Sequence, residues 1–533
     1  MEQTTLSSGR TPKEMLDFLR SPGGHSLIIK GEAGTGKTTF ALQLIEEMFS
    51  EQIDYYLSTR VSDEALFRQF PWLREKARAN EIIKAGKKFL RRAAPREREK
   101  NIGNRDSFNN VTFDLLNAMR DQDRSPSVVR TELHRLEGQI ENGEIGPDGE
   151  EIEPFSEDGS MVLEMGVVMP EIELAYDVVE NNLPTRSLIV LDSIEALSEL
   201  YGVSSQKIMT TLQKDLVEHS DCNIVYVVEF SDKSHMDYLG DGVVSLHIGE
   251  REGRRIRYLV IEKLRGSSVT RWKYLFTLKD GRINVFDAQS YERLPRTIGP
   301  NLSKEVDPNR VSFGHDSFDS VFKGPPKGAL TLIEIGKHVP QDFLDWFEER
   351  LVLDHIARKR GVLWFPQSPP DYDAMEAKAK VLSGSDRLAE RLCVLDNGKR
   401  GGGERNYIRI MEGENASIDL RWDRLSYQMS KTEKPFVVLL GFDAIEDLYG
   451  RDVMPETTAF LDTIKRSGNV IVAFATGMSS SLPYLAYHSK MHIKMECEDG
   501  ALLVCGQKPF TPYYHVELKE KDGILAPELV PMI

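Results

Sequence analysis

Short, mainly apolar runs alternate with amphipathic stretches along much of the chain. Four runs of five or six residues in the first half have the length and composition of strands in a parallel sheet. They are Ser26–Lys30, Asp54–Ser58, Ser187–Leu191 and Asn223–Val228. Helical periodicity follows from about Lys37 and again over Ser204–Ser220. Strands that alternate with helices predict an α/β fold in which helices flank a parallel sheet.

The second half of the chain repeats motifs of the first half in the same order. The segment Leu191–Gly202 resembles Leu440–Gly450, and Asn223–Val225 resembles Asn469–Ile471. Two further matches pair Tyr238-Leu239 and His247-Ile248 with Tyr484-Leu485 and His492-Ile493, and Ser26–Lys30 with Ala329–Glu334. Four ordered matches indicate duplication. We therefore predict tandem domains at residues 1–295 and 309–533, with a boundary near Pro295–Pro308.

A charged segment interrupts the first of these domains. Residues 84–100 carry eight basic and two acidic side chains, whereas residues 141–160 carry eight acidic side chains and no lysine or arginine. Proline and glycine are scattered through the acidic part. We interpret residues 85–160 as an insertion that is helical at Asn109–Arg120 and Val128–Gly138 and otherwise a charged loop.

The composition of the 533 residues narrows the class of protein. Apolar residues make up 40% and charged residues 29%, which is typical of globular proteins. No apolar run approaches the roughly 20 residues that span a bilayer, and the first residues do not resemble a signal peptide. The four cysteines include no CxxC pair, so we expect neither zinc nor disulfides, and a cytoplasmic location. A net charge of −16 argues against a general nucleic-acid coat.

A glycine-rich loop follows the first predicted strand and opens the first predicted helix. Residues 31–38 match the pattern GxxxxGK[ST] in full. Glycines let the main-chain N–H groups converge on a phosphate, and the start of the helix adds a partial positive charge. Lys37 would contact the β- and γ-phosphates. The candidate nucleotide-binding residues are Gly31, Glu32, Ala33, Gly34, Thr35, Gly36, Lys37, Thr38 and Thr39.

A loop of this type requires an acidic residue at the end of another buried strand. Asp192 ends the strand Ser187–Leu191 and precedes Ser193. We predict that Asp192 and the Thr38 hydroxyl hold Mg²⁺ beside a bound ATP. The alternative is that Asp192 merely caps the following helix.

Together these residues resemble the RecA superfamily, and within it the KaiC- and RadA-like ATPases. The specific elements are the loop, Leu191-Asp192-Ser193, the segment Tyr238–Val244, and Glu262–Ser267, which is similar to the K-x-R-G turn of KaiC-like domains. The resemblance implies two tandem RecA-like domains that end in antiparallel strands. It also implies a homo-oligomer in which Lys263 and Arg265 reach the γ-phosphate of a neighbouring subunit. The alternative for this pair is a salt bridge at a strand edge.

The chain departs from this family at the position of the catalytic base. KaiC-like domains carry a carboxylate just after the second strand, where this chain has Arg60 and Val61. Asp63 and Glu64 follow, but helical geometry would direct them elsewhere. Without a base, nucleotide binding survives and hydrolysis slows. We therefore expect an ATP-binding protein that is at most a slow ATPase.

The second domain lacks the loop. Its first strand runs into Ile335–Asp342, which contains one glycine and a proline and no lysine-threonine pair. Such a sequence cannot converge its N–H groups on a phosphate. We predict that this degenerate domain serves packing, dimerisation or partner recognition.

The total length, the single loop and two arginine-rich segments resemble the gas-vesicle regulatory protein D family. The segments are Arg91–Arg98 and Arg251–Arg257. The resemblance implies transcriptional repression through contact with an activator protein, made by these segments or by the second domain. The alternatives are that the segments are solvated faces, with Arg251–Arg257 forming a β-hairpin.

Two other functions compete with nucleotide-controlled regulation. A ring-forming RecA-like ATPase on DNA would need fast hydrolysis and a basic channel, and the acidic balance argues against it. A clock-like autokinase would need a second loop. The sequence contains no helix-turn-helix, zinc-finger or basic-zipper pattern, so we expect no direct nucleic-acid binding.

Overall fold

The structure is a computed structural model that describes residues 10–48, 52–58, 66, 68–72, 169–229, 235–288, 302–305, 307–383, 388–396, 405–521 and 524–533. The chain divides into two compact units. The first comprises Met1–His247, Leu259–Trp272 and Asp280–Ile283, and the second comprises Ile248–Tyr258, Lys273–Lys279 and Asn284–Ile533. The insertion predicted at 85–160 lies outside the described residues.

The first half contributes an eight-stranded sheet. Its strands are β1 Ser26–Gly31, β2 Ile53–Ser58, β3 Ser187–Asp192, β4 Asn223–Val228, β5 Gly242–Arg251, β6 Arg254–Leu264, β7 Lys273–Thr277 and β8 Asn284–Val285. Their order is β2-β3-β4-β1-β5-β6-β7-β8. The pairs β2–β3, β3–β4, β4–β1 and β1–β5 are parallel, and β7 and β8 pair antiparallel. Because strand ends in a parallel sheet meet at one edge, the residues after β1, β3 and β4 are brought close together.

Five α-helices accompany these strands in the described part of the first half. They are α1 Lys13–Arg20, α2 Lys37–Met48, α3 Pro170–Asn182, α4 Ile194–Tyr201 and α5 Ser205–Leu212. The single helix predicted over Ser204–Ser220 is α5 followed by a π-helical stretch at Gln213–Glu218. Apolar side chains of α4 and α5 pack with those of β1, β3 and β4 in one buried cluster. This packing fixes the start of α4 beside the strand ends.

The second half repeats the order of the first sheet and extends it. Its strands are β9 Leu330–Ile335, β10 Arg360–Phe365, β11 Leu392–Asp396, β12 Ile408–Ile410, β13 Glu433–Gly441, β14 Val470–Thr476, β15 Met491–Glu498, β16 Ala501–Lys508, β17 Tyr514–Lys521 and β18 Ile524–Pro531. Their order is β12-β11-β10-β13-β14-β9-β15-β16-β17-β18. From β10 onward the order matches the first sheet strand for strand. Two tandem, mostly parallel sheets confirm the predicted α/β fold class.

The helices of the second half flank its sheet. They are α6 Asp316–Phe322, α7 Gln341–Ala357, α8 Tyr372–Ser383, α9 Leu388–Arg391, α10 Ala416–Asp419, α11 Trp422–Gln428, α12 Phe442–Tyr449, α13 Met454–Arg466 and α14 Leu482–His488. Two separate apolar clusters form, one containing Phe343 and Phe347 of α7 and the other containing Phe442 and Phe460. A sheet with both faces buried explains the continuous apolar runs of its central strands.

Within the described residues, the helices are too short or too polar to span a lipid bilayer.

Candidate nucleotide-binding site

The loop at Gly31–Thr39 lies between β1 and α2 and depends on its glycines. A Cβ atom on Gly31 would lie 2.4 Å from the main-chain oxygen of Leu246, so a larger residue does not fit. Gly34 and Gly36 have φ values of 78° and 107°, which side chains disfavour. The Thr35 hydroxyl donates to the Glu32 oxygen at 2.9 Å and closes the turn. The chain therefore curls tightly around the start of α2.

Lys37 points back into this loop. Its Nζ atom donates to the main-chain oxygens of Gly31 at 2.6 Å and Glu32 at 2.9 Å. The cation therefore lies at the loop, where phosphate oxygens can become its partners. Lys37 and Thr38 are the first residues of α2, so the partial positive charge of the helix N-terminus adds to that of the ammonium.

Thr38 and Asp192 are 154 residues apart in sequence and in contact in the structure. The Thr38 hydroxyl donates to Asp192 Oδ2 at 2.7 Å. Tyr56 of β2 donates to the same oxygen at 2.8 Å. A hydroxyl and a carboxylate are the oxygen ligands that Mg²⁺ prefers, and the metal would be held by Thr38 and Asp192. The structure thus brings together Thr38 and Asp192, the two residues predicted to hold the metal.

Tyr56 was not predicted from the sequence. Its role follows from its position on β2, because strand pairing places Tyr56 opposite Val190, two residues before Asp192. The pairing itself is a tertiary property. Tyr56 orients the Asp192 carboxylate from the side opposite the loop strand in the sheet order.

Glu195 is a second acidic residue at this edge that sequence reasoning missed. Its Oε1 atom accepts a hydrogen bond from the main-chain N–H of Glu229 at 3.1 Å. Its Oε2 atom is buried and accepts no hydrogen bond from the described residues. Burial raises the pKa of Glu195, while the N–H of Glu229 and the positive charge of Lys37 oppose that rise. The available signal was its spacing, three residues after Asp192 on the first turn of α4.

Lys263 and Arg265 lie near the end of β6 and just beyond it. Lys263 Nζ donates to the main-chain oxygen of Asp237 at 3.1 Å, and Arg265 forms an ion pair with Asp241 at 2.8 Å. The Arg265 side chain is 65% exposed. Among the described residues, Lys263 thus contacts Asp237 and Arg265 contacts Asp241. Neither basic residue takes part in the contacts given above for the loop at Gly31–Thr39.

A buried lysine precedes the loop. Lys30, the residue before Gly31, has a side chain that is 1% exposed. It pairs with Asp237 at 2.8 Å and Glu262 at 3.0 Å. These two carboxylates offset the desolvation of the ammonium and hold the end of β1 to neighbouring segments.

The corresponding turn of the second unit has a different form. After β9, residues 336–340 lead directly to α7 at Gln341, with Pro340 as the residue before the helix. Lys337 in this turn is exposed. The turn therefore lacks both the lysine-threonine pair and the glycine spacing of the loop at Gly31–Thr39.

The basic segment Arg251–Arg257 forms a β-hairpin whose tip belongs to the second unit. Arg254 is buried and donates to the main-chain oxygens of Thr511 at 2.6 Å and Gly506 at 2.7 Å. Arg251 pairs with Glu496 and Glu498, and Arg257 donates to the Ile533 oxygen at 2.8 Å. Three of the arginines are thus used within the second unit. The other basic segment, Arg91–Arg98, lies outside the described residues, as do Arg60, Val61, Asp63 and Glu64.

Comparisons with known proteins also identify a P-loop domain in the part of the chain that contains this loop. Residues 15–262 match a family model described as GvpD gas vesicle protein, P-loop domain. The chain is 23% identical over 545 residues to Protein GvpD2 of Halobacterium salinarum, covering 98% of this chain and 96% of that protein. It is 21% identical over 364 residues to Protein GvpD1 of the same organism, covering 67% of this chain and 56% of that protein.

Proposed function

We propose that this chain, whose residues 15–262 match the GvpD P-loop domain, binds ATP with magnesium and uses the nucleotide to control a protein partner. The observation that carries the proposal is the arrangement of Lys37, Thr38 and Asp192. A cation at the loop and an adjoining hydroxyl and carboxylate form the two halves of a site for a triphosphate with its metal.

The proposed partner is a transcriptional activator, and the outcome of its binding is repression of gas vesicle genes. Arg251, Arg254 and Arg257 are engaged within the second unit, which leaves the exposed Arg255 and other surfaces of that unit for the contact. A domain that keeps its sheet but lacks the loop supports a role in recognition. The location that accords with this function is the cytoplasm.

A homo-oligomer accords with the proposal. Because Arg265 is 65% exposed, exchange of Asp241 for a phosphate of a neighbouring copy requires little desolvation. Lys263, two residues earlier near the end of β6, would follow it. In this arrangement each pair acts on the nucleotide of the adjacent subunit, and the loop residues bind that nucleotide.

Titration calorimetry of the full chain with Mg·ATP tests the nucleotide site. We expect Lys37→Ala to weaken binding at least about tenfold, because a charge-assisted hydrogen bond contributes roughly 1.5–3 kcal/mol. The matched control is Lys337→Ala, which removes an exposed lysine from the corresponding turn of the second unit and should bind as the wild type does. Absence of binding by the wild type, or unchanged binding by Lys37→Ala, would contradict the proposal.

A second measurement addresses the control of the partner. The chain and the activator are mixed, and the captured complex is quantified with ATP, with ADP and for Lys37→Ala. We expect the three conditions to differ. Equal capture in all three would show that the nucleotide does not control the partner.

A further inference from the structure

Glu195 lies at the edge of the first sheet, outside the set of residues proposed to bind the nucleotide and its metal. Glu195 is the second residue of α4, and its Oε1 atom is held by the N–H of Glu229 at 3.1 Å. Strands β1 and β4 pair up to Lys30 opposite Val228, so Gly31 and Glu229 are the residues that follow on each strand. The carboxylate is therefore fixed at the level of the first loop residue, to which Lys37 donates at 2.6 Å.

The duplicated unit provides an internal comparison for this carboxylate. Helices α4 and α12 each have eight residues, and Asp443 is the second residue of α12 as Glu195 is of α4. Asp443 Oδ2 accepts from the main-chain N–H of Thr476, at the end of β14, at 2.9 Å. The tie between the helix and the next strand end is thus common to both units, including the unit that lacks the loop.

The two carboxylates differ in the hydrogen bonds that their oxygen atoms accept. In the second unit, Asp443 Oδ1 accepts from the Thr476 hydroxyl, and Oδ2 also accepts from Gln367. Both oxygens are therefore satisfied. Glu195 is longer by one methylene, and its buried Oε2 atom has no hydrogen-bond partner among the described residues. A buried oxygen without a donor costs free energy, which favours a ligand that supplies a donor.

We propose that Glu195 is the catalytic base of a triphosphatase, accepting at Oε2 a proton from the water that attacks the terminal phosphate. A bond forms between the water oxygen and the γ-phosphorus, and the bond from that phosphorus to the β–γ bridging oxygen breaks. The electron pair of the broken bond stays on the bridging oxygen of the departing nucleoside diphosphate, and the proton of the water passes to Glu195. This assignment rests on the proposed nucleotide binding, and it places the base on α4 rather than after β2.

The test uses the full chain as wild type, Glu195→Gln and Glu199→Gln. Glu199 lies one turn further along α4 and is exposed, so its variant controls for the loss of one charge. Binding of Mg·ATP and Mg·ADP is measured by calorimetry, and phosphate release is measured from ATP. Glu195→Gln keeps an oxygen for the N–H of Glu229 but cannot accept the proton.

We expect Glu195→Gln to bind ATP at least as tightly as the wild type does. The ratio of ATP to ADP affinity should rise, because a negative charge near the terminal phosphate is removed. Phosphate release should fall at least about 10²-fold, the lower range for a general base. Glu199→Gln should match the wild type in all three measurements.

Several results would overturn the assignment. They are wild-type phosphate release by Glu195→Gln, loss of ATP binding by a folded Glu195→Gln, and a wild type that binds ATP without releasing phosphate. If Glu195→Gln does not fold, Glu195→Asp is measured instead, because aspartate occupies the equivalent position, Asp443, in the second unit. Slower phosphate release by Glu195→Asp supports the assignment of the base, and an unchanged rate of phosphate release contradicts it. A wild type that binds no ATP would instead refute the proposed function.

Discussion

At the scale of single residues, buried charges in this protein are stabilised by specific partners. Burial opposes the charge of Lys30, yet hydrogen bonds and charges from Asp237 and Glu262 raise its pKa. Burial lowers the pKa of His315 in the second unit well below its ordinary range, and the charge of Arg350 adds to this effect. The charge state of each residue thus follows from the neighbours that the fold supplies.

The ionisation of Glu305 makes the stability of the second unit depend on pH in the acidic range. Burial opposes its ionisation, but the hydrogen bond and charge of Arg360 and the charge of Arg358 lower the pKa of Glu305 to about 2. Because this pKa lies below that of the unfolded chain, the stabilisation is present above about pH 4.5 and is lost as pH falls towards 2. We expect Glu305→Gln to remove roughly 2 kcal/mol of stability at pH 7 and to flatten the decline in this window.

Urea unfolding between pH 2 and pH 7 measures this effect. The control is Glu433→Gln, which alters an exposed glutamate at the start of β13. A decline with pH that is the same in Glu305→Gln and the wild type would show that the ion pair does not determine the acid response.

At the scale of elements, the hairpin of β5 and β6 is the clearest case of a charged segment with an internal role. Arg254 donates to the main-chain oxygens of Glu252, Thr511 and Gly506, and its guanidinium carbon lies 4.1 Å from the centroid of the Phe510 ring. The neighbouring Arg255 is exposed. Alternation along a strand thus separates a buried arginine from a solvated one.

Removal of Arg254 should destabilise the second unit. Arg254→Ala leaves the Thr511 and Gly506 oxygens without this donor, at a cost of roughly 2–4 kcal/mol in the free energy of unfolding. Arg255→Ala should change it by less than about 0.5 kcal/mol. Chemical unfolding followed by circular dichroism compares the two variants. Equal stability of both would mean that solvent replaces the Arg254 contacts without cost.

At the scale of the whole molecule, two sheets with one strand order differ in the turn that follows their first strand. The strand order from β10 to β18 matches that from β2 to β8, yet the loop residues exist only in the first copy. A ligand that binds one unit stabilises that unit by mass action. The duplicated fold therefore predicts a local rather than a uniform response to nucleotide.

Hydrogen exchange detects this local response. At 100 times the dissociation constant, Mg·ATP should stabilise the nucleotide-bound unit by about 2.7 kcal/mol. We expect slower exchange at Gly31–Met48 and no change at Leu330–Ala357, the corresponding part of the second unit. Chelation of magnesium should reduce the protection, because Thr38 and Asp192 then lose their shared ligand. Equal protection of both segments would contradict a single site.

The sequence determined the features that depend on near neighbours in the chain. Apolar periodicity located β1 to β4, and glycine spacing followed by Lys37 and Thr38 defined the loop, because main-chain conformation is set locally. Ordered motif matches likewise indicated the duplication. Only the tertiary structure decided which side chains meet. Strand order joins Thr38 to Asp192 across 154 residues, brings Glu195 to Glu229, and directs Arg254 inward. Such contacts depend on sheet pairing between distant segments, which no local pattern encodes.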